Sequence, residues 1–99
     1  MHLEEIVHGD LLQKLKIDKK HEGYSVIILA KERIEPNRYD TSMKKIKEFL
    51  DEAGKDYKSR PHYGMVSAKM SGKEIRTMAN ALYSYIDRIA ENEQRLATQ

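Results

Sequence analysis

Apolar residues change their spacing along the chain, and each change marks an element. From Tyr24 to Arg33, the residues Tyr24, Val26, Ile28 and Ala30 alternate with Ile27 and Leu29. A period of two with apolar residues on both faces predicts a strand partly covered on each side. Lys31, Glu32 and Arg33 then turn the segment polar, and Pro36-Asn37 stops it, because proline has no amide to give a ladder.

The spacing next shifts to threes and fours. Met43, Ile46, Phe49, Leu50 and Ala53 line one side of a predicted helix from Thr41 to Ala53, with Lys44, Lys45, Lys47 and Glu48 opposite. Asp40 and Thr41 are its N-cap candidates, and Gly54 suits the left-handed position just past its end. A polar stretch from Lys55 to Pro61 follows. Val66, Ala68 and Met70 then alternate with Ser67 and Lys69 in a second predicted strand.

Ser71-Gly72-Lys73-Glu74 has the S-x-x-E form of a capping box, the strongest local signal in the chain. Beyond it, Ile75, Met78, Ala79, Leu82, Ile86, Ile89 and Ala90 recur at helical spacing with no Gly or Pro, which predicts one amphipathic helix from Ser71 to Glu93.

The first 22 residues fit two patterns. Leu3, Ile6, Val7, Leu11 and Leu15 suit a helix, although Gly9 weakens a continuous one by about 1 kcal/mol. Leu15 and Ile17, followed by Asp18 to Gly23 and then Tyr24, suit a β-hairpin. The hairpin reading places a strand from Leu12 to Asp18 antiparallel to Tyr24–Arg33. It gives an α+β fold of order β-β-α-β-α, with about three antiparallel strands and two helices on one face. Residues 1–99 then form one domain, with 1–10 loosely ordered and 94–99 a frayed tail.

Composition sharpens this picture. At 39% hydrophobic and 34% charged residues, the chain is polar but well outside the disordered range, so a single modest core is expected. Cysteine is absent, which removes disulfides and thiolate metal sites and suits a reducing cytoplasm. The longest apolar run, Val26 to Ala30, falls far short of a bilayer span, and the N-terminus lacks the pattern of a signal peptide. Neither membrane insertion nor secretion is expected.

Net charge is +2, too small to imply a nucleic-acid partner by itself, but the charge is uneven. Between Lys55 and Arg76 six cations face only Asp56 and Glu74, with Tyr57 and Tyr63 interleaved. Cations neutralise phosphates and tyrosine rings stack on bases. Lys58, Arg60, Tyr63, Lys69, Lys73 and Arg76 are therefore the candidate contacts for a nucleic acid or a phosphorylated, nucleotide-like ligand.

Catalytic signals are weak. His2, Glu5 and His8 are spaced by threes and could approach a metal on a helix, but on a terminus they read better as solvated polar residues. His21 and His62 have no sequence neighbour that would make either a base. Gly72-Lys73 opens a helix after a strand, yet it lacks the upstream glycine and the hydroxyl of a phosphate loop, and Glu74 brings negative charge to that terminus. No nucleophile pattern is present, so no catalytic residue, metal site or cofactor is assigned and a non-enzymatic role is expected.

The long closing helix suggests partner binding instead. Ile75, Leu82, Ile89 and Leu96 fall seven apart, with Met78 and Tyr85 between them, a spacing that permits pairing with a second copy. Tyr83, Tyr85 and Ile89 are the interface candidates. The reading that follows is a small oligomeric regulator or inhibitor acting through protein contacts, with nucleic-acid or phosphorylated-ligand binding as the alternative.

Overall fold

The computed structural model describes residues 3–7, 9–17, 23–33 and 38–92. Their elements run α1 (Leu3–Ile6), α2 (Asp10–Ile17), β1 (Tyr24–Ala30), α3 (Asp40–Glu52), β2 (Tyr57–Arg60), a 3-10 turn (Pro61–Tyr63), β3 (Met65–Met70), α4 (Gly72–Leu82) and β4 (Ile86–Glu91). The strands form one antiparallel sheet in the order β2-β3-β1-β4. Each of the helices α3 and α4 thus carries the chain past one intervening strand, the split β-α-β arrangement used twice.

Period-two burial orients this sheet. Tyr24, Val26, Ile28 and Ala30 of β1 and Val66, Ala68 and Met70 of β3 are buried, whereas the intervening Ile27, Leu29, Met65 and Ser67 are half-buried. One face therefore lies under the helices, and among the described residues no element covers the other, the open face. On the covered face Met43, Ile46 and Leu50 of α3 and Ile75, Met78 and Ala79 of α4 complete the core. Ser42, fully buried on α3, satisfies itself by donating to the Lys31 carbonyl at 2.8 Å.

The predicted elements differ from this arrangement in four places. Residues 12–17 are helical, not a strand, and Asp18 lies outside the described residues. Leu11 and Leu15 are both buried while Ile17 is 86% exposed, a pattern set by the four-residue period rather than by alternation. The helix is tied down from two sides: Lys14 pairs with Glu91 of β4 at 2.7 Å, and Arg76 of α4 donates to the Leu15 carbonyl at 3.2 Å. Ahead of this helix Leu3, Ile6 and Val7 are buried, and Val7 bridges Ile89 on the outer edge of β4.

The polar stretch before Pro61 contains β2. Tyr57 and Ser59 face the helices while Lys58 and Arg60 face out, so the strand is an alternating one with few large apolar groups. The strand at Tyr24 ends at Ala30 rather than Arg33, although the Lys31 amide still donates to the Tyr85 carbonyl at 2.9 Å.

The largest difference lies after Leu82, where α4 ends and the chain turns into β4. Ile86 and Ile89 stand three apart, as on a helix, yet both are fully buried from a strand. The cause is a bulge: Ile86 pairs with Ala30 and Arg88 with Leu29, so Asp87 is an extra residue that resets which side chains point inward. The stripe through Ile75, Leu82 and Ile89 is therefore split between a helix and a strand, and Leu96 lies outside the described residues.

Candidate binding surface

The pairing register fixes the layout of the open face. Leu29 lies opposite Arg88 on one side and Met65 on the other, and Met65 lies opposite Arg60. One row across the sheet thus reads Arg88, Leu29, Met65, Arg60. The next reads Ala90, Ile27, Ser67, Lys58, and beyond it Ser25 lies opposite Lys69. The two inner strands supply an apolar centre and the two outer strands supply cations, about 14 Å apart at the usual strand spacing.

Arg88, Lys58, Arg60 and Lys69 are all exposed, and none forms an ion pair among the described residues. None of the paired positions on this face is a carboxylate; Asp56 borders the face beside Ser25, Lys58 and Ser67, and Asp87 is the bulge residue outside the rows. Ile27, Lys58, Arg60, Met65, Ser67 and Asn92 line a shallow depression of about 650 Å³.

The six candidate contacts do not form one cluster. Lys58, Arg60 and Lys69 share the open face. Tyr63 is 69% exposed in the 3-10 turn that joins β2 to β3. Lys73 and Arg76 belong to α4 in the helical layer, and Arg76 holds the C-terminal turn of α2. Among the interface candidates, Tyr83 is exposed in the turn after α4, while Tyr85 is half-buried with the Arg33 guanidinium 4.7 Å above its ring. Ile89 is fully buried and has no side-chain surface to offer a partner.

Arg88 is masked in the sequence because a helical period hides strand alternation; its one signal is that Arg88 and Ala90 flank the apolar Ile89. His62 is exposed in the 3-10 turn, while His2 and His8 lie outside the described residues. Among the described residues no three His, Asp or Glu side chains come together as metal ligands would. No helix among them is long and apolar enough to cross a membrane.

The capping box forms as its sequence requires. The Glu74 amide donates to the Ser71 hydroxyl at 3.0 Å, and the Ser71 amide donates to the Glu74 carboxylate at 2.8 Å. Lys55 adds an ion pair to the same carboxylate at 2.9 Å. A carboxylate therefore occupies the position at which an anion would meet this helix.

Burial pulls the Glu74 carboxyl upward, but the hydrogen bonds from Ser71 and the nearby Lys55 ammonium outweigh it and hold its pKa below the ordinary value of 4.5. A depressed carboxyl pKa contributes stability that is complete above the unfolded value and lost as pH falls through the folded one. Glu74→Gln should therefore cost about 1 kcal/mol at pH 7, the difference between a charged and a neutral hydrogen-bond acceptor. Urea unfolding of both proteins at pH 7 and pH 3 checks this, with the gap between them closing at the lower pH.

Compared with protein-family models, curated proteins and solved structures, the chain shows no significant match. What the geometry defines is a class: a small α+β module with two crossover helices, a helical N-terminal cover and an open sheet face that is apolar at its centre and cationic at its margins.

Proposed function

We propose that this chain is a non-catalytic binding protein, a small regulator or inhibitor that docks the open face of its sheet on a protein partner. The observation that carries this reading is the arrangement of Ile27, Leu29, Met65 and Ala90 between Arg88 on one outer strand and Lys58 and Arg60 on the other. A dry apolar centre with a charged rim is the anatomy of a protein interface, and a rim whose paired positions carry cations and no carboxylate selects an acidic surface.

The same cations would suit phosphates. Stacking on bases, however, needs aromatic side chains on the inner strands. The open-face positions there are Ser25, Ile27, Leu29, Met65, Ser67 and Lys69. The protein reading is therefore preferred. A second copy is a poor occupant of this face, since it would bring the same cations together.

The test compares the wild-type chain with a Leu29→Ser variant, a Lys58→Glu/Arg88→Glu variant and a Lys44→Glu control on the exposed side of α3. Each is used to recover partners from the native source, and the recovered protein is titrated by calorimetry. The expected result is one acidic partner bound equally by wild type and control and at least tenfold more weakly by both sheet-face variants, with unchanged thermal unfolding. Equal affinity for all four proteins, or recovery of nucleic acid with steeply salt-dependent binding, would overturn the reading.

A further inference from the structure

The edge of β2 carries a separate recognition feature. At the other margin of the sheet, β4 is met by Val7, but β2 pairs only with β3 among the described residues. An antiparallel neighbour satisfies only one side of a strand, so alternate residues of β2 direct their N–H and C=O groups outward without a strand to receive them.

The side chains on the two faces of this edge differ in kind. Lys58 and Arg60 stand exposed on the open face, about 7 Å apart along the strand. On the helical side, a groove of about 350 Å³ runs between β2 and α3, lined by Tyr39, Met43, Tyr57 and Pro61 among others. Its walls carry Lys44 and Lys47 against Asp40, Glu48 and Asp51, a slight acidic excess that disfavours carboxylates there and leaves the groove to uncharged side chains. Tyr57 reaches Asp51 at 3.5 Å, and burial together with that carboxylate keeps its phenol above its ordinary pKa, hence neutral.

We propose that β2 accepts an added strand: an extended acidic segment of a partner protein whose alternate carboxylates lie against Lys58 and Arg60 and whose intervening apolar side chains enter the groove beside Tyr57. Backbone hydrogen bonds would supply affinity and the two side-chain rows would supply selection. Residues two apart on the incoming strand match the spacing of Lys58 and Arg60, and opposite charges directly across a pair of strands stabilise it. The same two cations guard the edge against neutral and basic strands. They also reject a second copy of β2, which would set cation against cation. This inference needs only the edge, its cations and the groove, and stands apart from docking on the open face.

The test uses the full chain, labelled with nitrogen-15, and a blocked ten-residue peptide that alternates Glu and Val. Shifts and slowed amide exchange are expected at Tyr57 to Arg60, with at least tenfold weaker binding of the peptide that carries Lys for Glu. Two further peptides, N-methylated at every Glu or at every Val, should separate: one loses binding at least tenfold and the other keeps it, because only one set of amides can face β2. Lys58→Glu/Arg60→Glu should reverse the preference between the Glu and Lys peptides. Leu29→Ser should leave peptide binding unchanged, which keeps the outcome independent of the open face. No binding at millimolar peptide, equal affinity for the two methylated peptides, or shifts centred on Ile27, Leu29 and Ala90 would overturn the proposal.

Discussion

Gly64→Ala lowers the stability of the domain by roughly 2–4 kcal/mol, combining the cost of a left-handed residue that has a Cβ with that of forcing a packed neighbour aside. Gly64 has φ +62°, and a Cβ built on it would lie 2.5 Å from the Tyr39 ring. The ring cannot yield freely, because Tyr39 packs against the core at the start of α3. The Gly64 carbonyl also accepts from the Ala30 amide at 2.7 Å, so movement here is felt at the end of β1. Equilibrium denaturation measures the loss directly. By contrast, Gly54→Ala, with φ +70° but nothing within 4 Å of the new Cβ, should show only the backbone part of the cost, about 1–2 kcal/mol.

Leu15→Ala should cost about 2–5 kcal/mol, the range for deleting a fully buried leucine side chain. Leu15 has no exposed surface and Ile17 is 86% exposed, so Ile17→Ala should change stability by less than about 0.5 kcal/mol. The pair distinguishes helix from strand at this position: residues two apart share a face in a strand and do not in a helix. Thermal melts should show Leu15→Ala lower by at least about 10 °C, with Ile17→Ala close to wild type. Similar melting of the two variants would count against the helix and against the role of α2 as a cover for the sheet.

The proposed surface is legible in part. Lys58, Arg60 and Lys69 were singled out by local charge, and the sheet does place them together. Lys73 and Arg76 belonged to the same stretch of sequence but not to the same surface, because the turn at Ser71 sends the chain from the sheet into the helical layer. A run of like charge reports neighbours along the chain, and a change of element between them scatters it in space. Arg88 shows the converse: it is remote in sequence from Lys58 and Arg60, yet it shares their face once β4 enters the sheet beside β1.

Local signals alone determined the elements whose information is carried by adjacent residues. The alternation from Tyr24 to Ala30, the three- and four-residue spacing of α3 and the Ser71–Glu74 box each specify a backbone conformation within one or two turns of chain. Tertiary structure decided the rest. Residues 10–17 became helix because Leu11 and Leu15 could be buried together beside β4, with Arg76 closing the last turn. Residues 86–91 became strand because β1 offered an unpaired edge and a bulge at Asp87 let both isoleucines reach the core. Apolar residues three apart satisfy a helix or a bulged strand equally well. The choice between them is made by the partner that takes up the backbone hydrogen bonds, and that partner lies more than 50 residues away in the sequence.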